Sequence, residues 1–223
     1  MRRIALLLMG ITWLIAAGCD RKPEPVAAPQ EPREIVGTIV AVGDSLTAGY
    51  GLREEEAYPA LLEGKLRAAG YRWQVVNAGI SGETSSGTLS RIPWVLKLEP
   101  DIVILETGAN DGLRGIDPRV TRKNIEETIS VLEENGVTVV LAGMKMVTTL
   151  GRQFLKEFAV IYPQIAEERG LIFFPFFLDG VAGRRRLNQE DGIHPNAEGY
   201  RIITDNLYPL VVEAIRKNGK GRG

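Results

Sequence analysis

Five short apolar runs recur along the chain, spaced so that a helix can fit between each pair. They are IVGTIVAVG (35–43), WQVVNAG (73–79), DIVILETG (101–108), VTVVLAG (137–143) and LIFFPFF (171–177). Each is rich in β-branched or aromatic residues and ends at Gly, Pro or a polar cluster, which marks a strand. Their apolar character is near-continuous rather than alternating. That suits strands covered on both faces, as in a parallel sheet. Between them, 57–70 and 118–136 read as helices, closed by Gly70 and Gly136, the second opened by Pro118. A last helix after His194 would put Tyr200, Ile203, Leu207, Leu210, Val211 and Ala214 on one face, with Pro209 kinking it. Strand-helix alternation of this kind predicts an α/β three-layer sandwich around a central, mostly parallel five-stranded sheet.

The ends of the chain read differently. Residues 1–18 form a signal peptide: a basic MRR followed by an apolar run too short for a confident membrane span. The run ends in AAGC, and Cys19 is the only cysteine. This resembles the lipobox of bacterial lipoproteins, although Ala16 stands where Leu is usual. The resemblance implies lipidation of Cys19 and an exported lipoprotein on the periplasmic side of a membrane. Asp20, directly after the cysteine, fits retention at the inner membrane. Residues 19–34 then form a Pro-rich, charged tether, 35–217 the folded domain and 218–223 a flexible tail. One cysteine excludes an intramolecular disulfide and a cysteine-based metal cluster. A formal charge of −1 gives no reason to expect a nucleic-acid partner.

In open α/β sheets ligands bind beyond the carboxyl ends of the strands, so the residues there carry the functional information. After the first strand comes GDSLTAGYG (43–51), which presents Ser45 as a nucleophile or a helix cap. The glycine pattern of a dinucleotide site, the Lys-Ser/Thr pair of a P-loop and the Gly-x-Ser-x-Gly elbow are all absent. After the second strand, Gly82 in NAGISGETSSG could offer its N–H to an anion, or be a plain turn. After the third, Asn110 in TGANDGLRG could aim its amide at the same cleft, or cap a helix. The last stretch, DGIHP, holds Asp191 and the sole histidine, His194. A lone histidine before a proline is often only a turn residue. Together, however, these loops supply a hydroxyl, a base, a carboxylate to orient the base and donors for an oxyanion, the set that acyl transfer requires. Asp44 reads as an organiser of its turn, and Glu106 has no role visible in the sequence.

These blocks resemble those of the SGNH hydrolases, the GDSL family of lipases and esterases: Gly43-Asp44-Ser45-Leu46, Gly82 in NAGISGET, Asn110 in GAND, and Asp191 with His194 in DGIHP. YPALLEGKL and GANDGLRG look most like the arylesterase, thioesterase I and lysophospholipase L1 branch, with Ala109 where that branch often has Gly. The resemblance implies a flavodoxin-like fold and a serine esterase acting on carboxylic ester, thioester or lysophospholipid bonds. Ser45, Asp191 and His194 would be catalytic, and Ser45, Gly82 and Asn110 would form the oxyanion hole. Segment 111–117 would be a mobile loop, with Leu113 touching the acyl group. No metal or organic cofactor is implied. The expected partners are a small ester or lipid substrate and a membrane reached through the N-terminal lipid. A carbohydrate deacetylase or acyltransferase on the same scaffold, or a non-catalytic tethered binding lipoprotein, would use the same sequence features.

Overall fold

The β-branched runs pair into one sheet in a computed structural model that describes residues 34–146 and 150–222. The expected signal peptide, Cys19, Asp20 and all of the tether before Glu34 lie outside the described residues. The strands are β1 (Gly37–Gly43), β2 (Trp73–Gly79), β3 (Ile102–Glu106), β4 (Thr138–Ala142) and β5 (Ile172–Phe174). Their order is β2-β1-β3-β4-β5, and all four pairings are parallel. β3, in the centre, is buried at all five residues, which explains a run with no polar-apolar alternation. β5 is shorter than the apolar stretch 171–177 suggests, because Pro175 has no N–H to continue a ladder.

Seven α-helices are present among the described residues: α1 (Ser45–Ala48), α2 (Tyr58–Ala68), α3 (Ser85–Val95), α4 (Ala109–Arg114), α5 (Pro118–Glu134), α6 (Arg152–Arg169) and α7 (Ala197–Asn218). From β1 the chain steps one way to β2, then reverses across β1 to reach β3, β4 and β5. With right-handed crossovers, that reversal places α2 on one face of the sheet and α3, α5 and α6 on the other. The helix contacts agree, since α2 packs with α7 while α5 packs with both α3 and α6. The reversal also opens a crevice at the carboxyl ends of β1 and β3.

The sequence reading does not identify α3 and α6 as helices. α3 contains Gly87 and Pro93, both poor helix formers, and depends on Thr84, whose side chain accepts a hydrogen bond from Gly87 N–H. α6 contains Pro163, yet buries Phe158, Ile161, Tyr162 and Ile165 against the sheet. α7 runs unbroken from Ala197 to Asn218, with Pro209 inside it and Leu210 only half-buried. The tail expected to trail free is instead tied down. Arg222 C=O accepts from Arg72 N–H at 3.0 Å, Gly221 C=O from Trp73 Nε1–H at 2.9 Å, and Lys220 pairs with Asp101 at 2.6 Å.

The sheet meets the α1 turn with no room to spare. A Cβ on Gly79, at the end of β2, would fall on the backbone of Thr47 and Ala48. Backbone cannot swing aside as a side-chain tip can, so Gly79→Ala is expected to destabilise the fold by about 1–3 kcal/mol. Urea unfolding of the two proteins measures this.

Candidate active site

The crevice is built from the end of β1 outward. Asp44 caps α1, its Oδ1 accepting from Leu46 N–H at 2.9 Å. Ala48 N–H donates to Asp44 C=O at 2.9 Å, closing the single turn that follows. Tyr200, fully buried on α7, donates its hydroxyl to Leu46 C=O at 2.8 Å. Ser45 therefore sits on a turn fixed from both ends, at the carboxyl end of β1.

His194 reaches Ser45 from a short hairpin. Asn188 and Pro195 bridge antiparallel, Gln189 N–H donates to His194 C=O at 2.8 Å, and Asn196 N–H donates to Leu187 C=O at 3.0 Å. Asn196 then caps α7 by accepting from Glu198 and Gly199 N–H. At the hairpin tip, His194 Nε2 lies 2.9 Å from Ser45 Oγ, and its Nδ1 lies 2.7 Å from Asp191 Oδ2. Asp191 Oδ1 accepts from the N–H groups of Ile193 and His194 at 2.9 and 3.0 Å. These backbone bonds and the ring hydrogen bond hold its carboxyl down at about 2. Asp191 is therefore a carboxylate throughout the neutral range, free to accept the Nδ1 proton and leave Nε2 facing the hydroxyl.

Gly82 and Asn110 line the same cleft as Ser45 and His194. Gly82 has a left-handed φ of 79°, which a side chain would strain, and its C=O accepts from Arg114 at 2.7 Å. Its loop is further pinned by the partly buried Glu83–Arg91 pair at 2.7 Å, while Arg91 also donates to Gly43 C=O at 3.4 Å. Asn110 lies in the first turn of α4 and spends one amide N–H on Asp44 Oδ2 at 3.0 Å. The fully buried Asp111 anchors this helix by accepting from Ser85 N–H, Ser85 Oγ–H and Thr121 Oγ–H at 2.8, 2.5 and 3.2 Å. Leu113, on the same helix, is exposed and lines the cleft. Ser45, Gly82, Asn110, Leu113 and His194 thus share one cleft of about 230 Å³, with Asp191 bonded behind the histidine.

Three further residues belong to this environment, and sequence reasoning did not single them out for it. Tyr50 tilts its ring over the His194 imidazole, with centroids 4.7 Å apart. Gln189 ties the two loops together by donating to Tyr50 C=O at 2.7 Å and Pro195 C=O at 3.0 Å. Glu106, at the end of β3, is fully buried beneath the α1 turn and accepts from Asp44 N–H and Thr47 Oγ–H at 3.2 and 3.0 Å. Burial raises both the Glu106 and the Asp44 carboxyls. Among the described residues no group of three or more His, Cys, Asp or Glu is arranged to hold a metal ion. A hydroxyl facing an oriented imidazole, beside backbone and amide N–H groups, is an arrangement competent for nucleophilic acyl transfer.

Comparison with known proteins gives the same answer independently. The GDSL-like lipase/acylhydrolase family matches residues 41–202, which include every residue of the cleft. The chain is 37% identical to esterase TesA of Pseudomonas aeruginosa over 175 residues, 78% of this chain and 87% of that protein. It is likewise 37% identical to thioesterase 1/protease 1/lysophospholipase L1 of Escherichia coli, covering 78% and 85% of the two chains. Among solved structures, the psychrotrophic esterase EstA from Pseudoalteromonas, inhibited by monoethylphosphonate, superposes with a TM-score of 0.76 at 33% identity. That match covers 81% of this chain and 99% of EstA. The chain belongs to the GDSL-like lipase/acylhydrolase family.

The Asp191 geometry makes a prediction of its own. A depressed carboxylate pKa contributes stability that is present above the ordinary value and is lost as pH falls toward about 2. Removing the ring in His194→Ala should move the Asp191 titration up toward the unperturbed value of about 3.9. Carboxyl-carbon NMR titration of both proteins reads the shift directly. An unchanged midpoint would mean that the ring contributes nothing.

Proposed function

We propose that the protein hydrolyses carboxylic esters through an acyl-enzyme on Ser45. The 2.9 Å approach of His194 Nε2 to Ser45 Oγ, with Asp191 on the opposite nitrogen, carries this reading. His194 takes the hydroxyl proton as Oγ attacks the ester carbonyl, and Asp191 stabilises the imidazolium that results. The carbonyl oxygen, now an oxyanion, is met by the N–H groups of Ser45 and Gly82 and by the Asn110 amide N–H that does not face Asp44. His194 then returns the proton to the leaving alcohol. Water then gives a proton to His194 as its oxygen attacks the acyl carbon. The Oγ–acyl bond breaks with His194 returning that proton to Ser45 Oγ, which releases the acid. Leu46, Tyr50, Ala109, Leu113 and Ile193 give the cleft apolar walls suited to an acyl or aryl group, with Leu113 as the acyl contact. Relatives named as esterase, arylesterase and thioesterase 1/lysophospholipase L1 support the ester class.

The N-terminal AAGC motif supports a second part of the proposal: Cys19 carries a lipid that holds the domain at the periplasmic side of a membrane, with Asp20 favouring the inner one. Among the described residues no helix is long and apolar enough to cross a membrane. Incorporation of labelled palmitate that disappears in Cys19→Ser would support lipidation, and unchanged labelling would refute it.

Kinetics on p-nitrophenyl esters test the chemistry. Ser45→Ala and His194→Ala should each lower kcat by about 10⁴-fold or more, because members of such a unit fail together. Asn110→Ala should lower kcat by about 100-fold. Full activity in Ser45→Ala or His194→Ala would rule the mechanism out.

A further inference from the structure

A carboxyl group buried directly beneath a nucleophile needs an explanation, and the proposed mechanism does not use Glu106. Its side chain is fully buried, 62 residues from Asp44 in sequence, yet its carboxyl is part of the wall of the α1 turn. Oε2 accepts from Asp44 N–H and Thr47 Oγ–H, and it lies 2.5 Å from where a Cβ on Gly43 would stand. Gly43 must lack a side chain because Thr47 Oγ1 and the Glu106 carboxyl together fill that space. Oε1 has no hydrogen-bond partner among the described residues, and a buried carboxylate charge without donors or a cation to meet it is costly. Asp44 and Glu106 are two buried carboxyls beneath one turn, and such a pair ionises together only at high cost, which favours one of them as the neutral acid.

The Asp44 oxygens identify which one. Oδ1 holds Leu46 N–H and Oδ2 holds the Asn110 amide, so Asp44 is the better-supplied anion. The other ionisable groups facing Glu106 are Tyr58 on α2, Tyr162 on α6 and Tyr200 on α7. None is a cation that could hold Glu106 ionised; the histidine in this region, His194, bonds Asp191 and Ser45 instead. Burial pushes Glu106 in the same direction.

We propose that Glu106 is a positioning residue of the esterase that acts as a neutral carboxylic acid: it accepts the Asp44 N–H and Thr47 hydroxyl donors and so fixes the turn whose Asp44 carboxylate aims Asn110 into the oxyanion hole. Glu106 touches no substrate. It acts through Asp44 on both the turn that carries Ser45 and the amide of Asn110. The proposal rests on the ester-hydrolase reading, and wild type against Ser45→Ala in the same assay tests that reading separately.

Two substitutions and one physical measurement test the proposal. Glu106→Gln keeps the shape, stays neutral at every pH, and can still accept from Asp44 N–H and Thr47. Its kcat and KM on a p-nitrophenyl ester at pH 7 should lie within about threefold of wild type. Glu106→Leu fills the space but cannot bond. Its kcat should fall by about tenfold or more with KM little changed, since the oxyanion donor it misplaces acts in the transition state. Gln restoring what Leu loses would show a hydrogen-bonding role rather than a packing one. Glu106→Gln as damaged as Glu106→Leu, or Glu106→Leu as active as wild type, would overturn the proposal.

Thermal melting supplies a readout independent of activity. A buried acid whose pKa is raised lends stability that is full below the ordinary carboxylate value and is lost as pH rises toward the folded value. The Tm of Glu106→Gln minus that of wild type should therefore increase with pH above about 4.3, the unperturbed glutamate value. A difference that is flat or decreasing with pH would mean that Glu106 is ionised in the folded protein, and the proposal would fail.

Discussion

The hydrogen bonds of the Asp44 carboxylate connect the fold to the site. One oxygen caps the α1 turn through Leu46 N–H, and the other holds the Asn110 amide, which arrives from the end of β3. Two adjacent parallel strands are thus joined at their carboxyl ends by one side chain, just where the chain direction reverses in the sheet. Ser45 and the Asn110 amide therefore take their positions from the same atom group. A small displacement of Asp44 would move both.

The imidazole is placed by different means. His194 comes from the far end of the chain, and its hairpin has few residues of its own to bury. Leu187 packs into the core on one side, Asn196 begins α7 on the other, and Gln189 bonds across to the Tyr50 loop. α7 also sends Tyr200 to Leu46 C=O, so the helix after the histidine braces the turn that carries the serine. Asp191 needs no distant partner. It takes its backbone donors from its own loop, which keeps it ionised although it is partly open to water.

Much of this is visible in the sequence because it depends on strand ends. Near-continuous apolar runs mark the strands, and Ser45, Gly82, Asn110 and the Asp191–His194 stretch each follow one of them. What could not be read depends on contacts across the structure. Glu106 ends an apolar run, so its carboxyl looks like the start of a loop; only folding brings Gly43 and Thr47 against it. Tyr50 and Gln189 are unremarkable loop residues until the two loops meet. α3 is hidden by its Gly and Pro, and its capping by Thr84 is a local signal that propensity outweighs. The C-terminal tail has a charged, Gly-rich composition typical of free ends, but Trp73 and Asp101 provide it with partners.

The central claim is that one serine, activated by one histidine, is the nucleophile. It is tested most directly by treating the protein with a fluorophosphonate and mapping the modified peptide by mass spectrometry. A single adduct on Ser45, formed in wild type but lost when His194 is replaced by Ala, is the result expected. An adduct on another residue, or an active esterase that takes up no phosphonate at Ser45, would contradict it.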